Sequence, residues 1–166
     1  KEAIATGGTG TCYKIENFKR LADDLSFEIT NSMIYKCFYN NKKVSLPLKG
    51  FTPMSDLKEL KWSLFFELHK CPYIHLLICL VIDSNSIVSG YLSEMAEFGS
   101  LGRFLSEYKL SGNYRVLLIE LLHISTAINY LHQQKLLHTD IRTDNILVFQ
   151  KGNEISMKLT DFGDCC

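Results

Sequence analysis

The stretch His138-Thr139-Asp140-Ile141-Arg142-Thr143-Asp144-Asn145-Ile146-Leu147-Val148, with Asp161-Phe162-Gly163 downstream of it, decides how this chain is read. An acid, a cation two residues on and an amide five residues on precede a short apolar hairpin, and a second acid follows it. The hairpin is expected as Ile146 to Gln150 and Met157 to Thr160, turning at Lys151-Gly152-Asn153. Asn145 and Asp161 offer hard oxygen atoms of the kind Mg²⁺ accepts while it keeps several waters. Asp140 is the carboxylate left to orient or take the proton of an attacking hydroxyl, a role that depends on position more than on a perturbed pKa. Together they form the layout that phosphoryl transfer from ATP requires.

Working outward, Asn113 to Gln133 reads as a long helix, with Leu117, Leu121, Ile124, Ile128 and Leu131 on one face. Leu101 to Tyr108 reads as a short one. Ile74 to Ile82 and Ile87 to Glu94 read as strands separated by the turn formers Asp83-Ser84-Asn85-Ser86. Leu57, Leu60, Leu64 and Leu68 recur at helical spacing after Pro53 and the N-cap candidate Ser55. Met33 to Tyr39 and Val44 to Leu48 are expected to form a hairpin through Asn40-Asn41-Lys42. The fold class is α+β: a small antiparallel sheet with one helix, followed by a helical part.

Eighteen basic and eighteen acidic residues cancel, so no global field draws the chain to nucleic acid or to an anionic membrane. The run Ile74 to Ile82 is too short for a bilayer, which takes about 20 residues, so no membrane span is expected. The six cysteines show no C-x-x-C spacing, which fits reduced thiols and a cytoplasmic location better than a disulfide framework. His69, His75, His123 and His132 have no metal-site spacing and read as ordinary histidines.

The loop at His138 and the Asp161-Phe162-Gly163 triplet resemble the catalytic and magnesium loops of eukaryotic protein kinases, H-R-D-x-x-x-x-N and D-F-G. Tyr130-Leu131-His132 and the hinge-like Glu94-Met95-Ala96-Glu97-Phe98-Gly99-Ser100-Leu101 extend the likeness, whose flavour is that of the tyrosine-kinase-like group, with receptor-interacting and mixed-lineage-like members. The resemblance implies a two-lobe fold. Residues 1–26 would be a lead-in or a first glycine-rich strand pair, 27–93 the small lobe, 94–98 the hinge and 99–166 a partial large lobe. Starting at Lys1 and stopping just after Asp161-Phe162-Gly163, the chain is expected to be a fragment of such a domain.

The resemblance also assigns roles. Asp140, Arg142 and Asn145 would be catalytic, with Asn145 and Asp161 holding magnesium. Arg142, where Ser/Thr kinases carry Lys, favours Ser/Thr substrates. Thr139 replaces the Arg that in many members pairs with an activation-loop phosphate. Lys49 resembles the phosphate-gripping lysine of V-A-I-K, with Pro47 in place of Ala and Lys42 and Lys43 as competitors. Its partner would be Glu59, or alternatively Glu67. Backbone groups of Glu94 and Ala96 would meet the adenine edge, with Ser93 as gatekeeper and Leu147 beneath the ring. His138 and Phe162 would join an internal hydrophobic stack.

Two segments compete for the phosphate-covering loop. Ile4-Ala5-Thr6-Gly7-Gly8-Thr9-Gly10-Thr11-Cys12-Tyr13-Lys14 carries the glycines, while Phe27 to Ser32 followed by Ile34-Tyr35-Lys36 carries none but lies at compact spacing from Lys49. Hairpin connections are usually short, which favours the second. The implied activity is transfer of the γ-phosphoryl group of Mg-ATP to a protein Ser or Thr. The alternatives are a pseudokinase that serves as a signalling or interaction module and a small-molecule phosphotransferase of the aminoglycoside-kinase type. A protein substrate or signalling partner is implied without being identified.

Overall fold

The computed structural model describes residues 2–6, 10–16, 32–38, 44–45, 70–82, 87–108 and 114–166. The chain divides into two compact units, Lys1–Asp56 with Leu77–Met95, and Leu57–Leu76 with Ala96–Cys166.

The first unit is an antiparallel sheet of β1 (Glu2–Thr6), β2 (Gly10–Glu16), β3 (Ser32–Phe38), β4 (Val44–Ser45), β5 (Leu77–Ile82) and β6 (Ile87–Glu94). β1 pairs with β2 from Glu2 opposite Lys14 to Thr6 opposite Thr11, and both strands belong to the sheet, while Gly7 and Gly8 lie outside the described residues. β2 then pairs with β3, and β3 with β6, Tyr35 standing between Tyr13 and Leu92. Both edges of β3 are thereby taken. That corrects the expected hairpin of β3 with Val44 to Leu48: Val44 and Ser45 pair instead with Val88 and Ile87 of β6. β5 also pairs with β6, through Leu77 opposite Ser93 and Ile82 opposite Val88.

Gly90 of β6 allows β3 to come this close. A Cβ there would stand 2.1 Å from the carbonyl oxygen of Lys36 and 2.8 Å from a ring carbon of Tyr35. The Tyr35 hydroxyl lies 3.3 Å from Ser89 Oγ, and Ser89 Oγ donates to the Val81 carbonyl at 3.2 Å. This chain of contacts links β3, β6 and β5. Met33, Val88, Tyr91 and Leu92 are buried in this unit.

The second unit holds α1 (Leu101–Glu107), α2 (Tyr114–Gln133) and the hairpin β7 (Ile146–Lys151) with β8 (Glu154–Leu159). The hairpin turns on two residues, and Gly152 takes a φ of 61°, the positive value that the first position of a type II′ turn needs. Ile124, Ala127 and Leu131 of α2 pack into one core with Val148, Met157, Leu159 and Phe162. Periodicity had put Leu121 on the inner face of α2; it is exposed, and Glu120 is buried instead. The expected strand Ile74 to Ile82 is also divided. Only Leu77–Ile82 joins the sheet of the first unit, while Ile74 bridges Leu159 in the second. His75 donates its N–H to the Leu159 carbonyl at 2.8 Å and Leu159 donates to Tyr73 at 2.9 Å, so this segment covers the free edge of β8.

The helix expected on Leu57, Leu60, Leu64 and Leu68 lies outside the described residues, as do Lys42, Lys43, Pro47, Lys49, Glu59 and Glu67. No described helix is long and apolar enough to cross a membrane.

Candidate active site

The loop of Asp140 begins where α2 stops. Leu136 donates its N–H to the Leu131 carbonyl at 2.9 Å and Lys135 to His132 at 2.9 Å, while Lys135 itself has a φ of 58°. This is the paired hydrogen bonding of a Schellman stop, with Lys135 in the left-handed position that glycine usually fills. It turns the chain sharply, burying Leu136 and then His138. The His138 ring meets Phe162 edge-on, with centroids 5.3 Å apart, and its Nε2–H donates to the Thr160 carbonyl at 2.9 Å. Bonding at Nε2 fixes the tautomer and leaves Nδ1 buried without a partner. The internal stack expected of His138 and Phe162 is present in this geometry.

Asp140 and Asn145 are joined directly. The Asn145 amide Nδ2 donates to Asp140 Oδ2 at 2.7 Å and to the Asp140 carbonyl at 2.9 Å. Using Nδ2 in this way leaves Oδ1, an atom with lone pairs only, as the one suited to a cation. A single 3₁₀ turn, Thr143–Asn145, sets Asn145 at the mouth of β7, and Thr160 at the far end of the hairpin donates its N–H to the Asn145 carbonyl at 3.0 Å. Asp161 follows immediately. It is exposed, with a φ of 64°, and its Oδ1 lies 3.4 Å from the Gly163 N–H. The hairpin thus carries the second acid back to the amide, and the oxygen donors present are of the type Mg²⁺ takes.

Arg142 is exposed and is engaged on its own loop. Its Nε donates to Asp144 Oδ2 at 3.1 Å and its Nη2 donates to the same oxygen. That hydrogen bond, then the charges of Asp144 and Asp140, hold the guanidinium above its ordinary range. Leu147 is half-buried in β7 and forms an isolated antiparallel bridge with Ser100. Ser100 is also the N-cap of α1, its Oγ accepting the Arg103 N–H at 3.3 Å.

Ser93 and Glu94 end β6 in the first unit, Ser93 buried and Glu94 half-buried, and Ala96 begins the second. Among these strands a residue that sequence reading had passed over comes forward. Lys36 lies on β3, opposite Cys12 of the glycine-bearing strand pair and opposite Tyr91 of β6, with its Nζ 5.7 Å from the Tyr91 ring centroid. The signal was present as Met33-Ile34-Tyr35-Lys36, three apolar residues and a lysine, a V-A-I-K-like run without the proline that interrupts the run to Lys49. It is masked when Ile34-Tyr35-Lys36 is taken as the strand that follows a phosphate-covering loop at Phe27 to Ser32.

A family model for the protein kinase domain matches residues 30–166. The chain belongs to the protein kinase family. A probable serine/threonine-protein kinase, mkcF, of Dictyostelium discoideum is 27% identical over 134 residues, covering 80% of this chain and 19% of that protein. The tyrosine-protein kinase receptor svh-2 of Caenorhabditis elegans is 27% identical over 139 residues, covering 80% and 12%. The serine/threonine-protein kinase SBK1 of Danio rerio is 32% identical over 123 residues, covering 74% and 29%. The chain spans less than a third of the length of each of these relatives.

Proposed function

We propose that this protein transfers the γ-phosphoryl group of Mg-ATP to a protein Ser or Thr. The observation that carries the reading is the bond of the Asn145 amide to Asp140 Oδ2 at 2.7 Å, with Asp161 returned beside Asn145 through the Thr160 N–H. Asp140 is held with its carboxylate oriented by that amide, the arrangement a group needs to align a substrate hydroxyl. Asn145 Oδ1 and the Asp161 carboxylate would hold magnesium, which supplies charge neutralisation at the phosphates.

Kinases place their phosphate-gripping lysine on the third strand. Here that strand is β3, and Lys36 is on it. We therefore assign the role to Lys36 ahead of Lys49, with Glu59, or alternatively Glu67, as its carboxylate partner. Ser93, Glu94, Ala96 and Leu147 keep the adenine-side roles that the family resemblance gives them. Arg142 at the catalytic-loop position supports Ser/Thr over Tyr substrates.

A second reading, a pseudokinase serving as an interaction module, draws on the engagement of Arg142 by Asp144, which occupies the cation that would meet a phosphate. The test is γ-phosphate transfer by the full-length protein, with nucleotide binding measured in and out of Mg²⁺. Asp140→Asn should abolish transfer while leaving binding within about twofold, and Asp161→Ala should remove the magnesium-dependent part of binding. A wild-type protein that binds nucleotide and phosphorylates neither itself nor any Ser/Thr peptide overturns the kinase reading in favour of the pseudokinase.

A further inference from the structure

Thr139, between His138 and Asp140, has a φ of 63°. The left-handed region is unfavourable for any side chain and most so for a β-branched one, and such a conformation persists only where its surroundings hold it. Thr139 is held from the segment that follows Asp161. Its Oγ1 donates to the Asp164 carbonyl at 2.9 Å. Beside it Leu137 and Cys166 exchange two backbone hydrogen bonds, Leu137 N–H to the Cys166 carbonyl at 2.9 Å and Cys166 N–H to the Leu137 carbonyl at 3.2 Å. Cys165 Sγ lies 4.0 Å from the His138 carbonyl. The residues just before Asp140 and those just after Asp161 are therefore stitched together, and a left-handed residue lies beside each of the two acids or at it, Thr139 next to Asp140 and Asp161 itself.

We propose that the Thr139 hydroxyl is a latch that fixes the spacing of the Asp140 loop against the Asp161 loop, making Thr139 a positioning residue for phosphoryl transfer. The latch uses a side-chain donor and a backbone acceptor, so it closes without any added charge. This rests on the kinase reading above, in which Asp140 aligns the hydroxyl and Asp161 holds magnesium. Serine preserves the donor and eases the left-handed turn. Valine preserves the shape and removes the donor.

The experiment compares wild type, Thr139→Ser and Thr139→Val in the full-length protein, unphosphorylated, by steady-state kinetics and by amide hydrogen exchange. Thr139→Val should lower kcat about tenfold with KM for ATP within about twofold of wild type, and Thr139→Ser should restore kcat. In parallel, the Leu137 and Cys166 amides should exchange about tenfold faster in Thr139→Val alone. Wild-type kcat and exchange in Thr139→Val, or a Thr139→Ser variant as impaired as Thr139→Val, would overturn the latch. If wild type transfers no phosphate, the kinase reading fails, and the exchange of the two amides decides the latch by itself: faster in Thr139→Val supports it, unchanged overturns it.

Discussion

The carboxylate of Glu120, buried on α2, accepts the backbone N–H of Met157 through Oε2 at 2.7 Å and faces His123 Nδ1 through Oε1 at 3.1 Å. His123 in turn stacks flat on Tyr73, with centroids 4.3 Å apart. An acid is therefore buried on the helix next to Leu121, which the apolar pattern places inside and which is exposed, and it satisfies a strand-edge donor that the hairpin cannot satisfy itself. A buried N–H left without an acceptor costs about 1–3 kcal/mol. Glu120→Ala should destabilise the domain by about 2 kcal/mol in denaturant titration, with Glu120→Gln milder because its amide oxygen still accepts. Equal effects of the two would show that the Met157 bond is not what matters.

Lys36 and Lys49 are separable by binding. Lys36→Ala in the full-length protein should weaken Mg-ATP binding by about tenfold or more in calorimetry, the scale of a lost charge-assisted contact, and Lys49→Ala should not. The reverse pattern would return the role to Lys49.

Gly90→Ala should be among the most damaging small substitutions in the first unit. Its Cβ would meet the backbone oxygen of Lys36 at 2.1 Å, and backbone cannot swing aside as a side chain does. Separating β3 from β6 should cost about 3 kcal/mol, the upper end of overpacking penalties. It should also impair nucleotide binding if Lys36 is the lysine that counts. A Gly90→Ala protein with an unchanged unfolding midpoint would contradict the β3–β6 register.

The two terminal cysteines should behave oppositely. Burial, helped by the neighbouring Cys166, Asp161 and Asp164, pushes the Cys165 thiol up to about 12, while Cys166 is exposed. Thiolate is the reactive form, so alkylation at pH 8 followed by mass spectrometry should label Cys166 and spare Cys165 until the protein is unfolded. Because the folded state holds the Cys165 proton more tightly, its contribution to stability is complete below the ordinary thiol value of 9.0 and is lost as the pH rises from there through about 12. Equal labelling of both cysteines in the native protein would show that Cys165 is not enclosed.

What the sequence alone determined was local chemistry at short range. Asp140, Asn145 and Asp161 were legible because their spacing is set by one loop and one two-residue hairpin, and α1, α2, β6 and the β7–β8 pair followed from apolar periodicity and turn residues. Strand partnership was decided only in three dimensions, since a strand's pattern says which face is apolar and not which neighbour takes each edge. Sequence spacing disfavours Gly7 to Gly10 as the phosphate cover because Cys12 stands far before Lys49 for a strand hairpin, and residues 17–31 do lie between β2 and β3. Yet loop closure grows only about 0.6 kcal/mol per doubling of length, less than a register of paired strands returns. Once β2 and β6 occupy both edges of β3, Val44 and Ser45 must find β6, and Lys36 stands on the strand between the glycine segment and the hinge strand. Glu120 in the core and Thr139 bonded to Asp164 belong to the same class: each depends on a backbone group far away in the sequence, and no periodicity in the chain announces it.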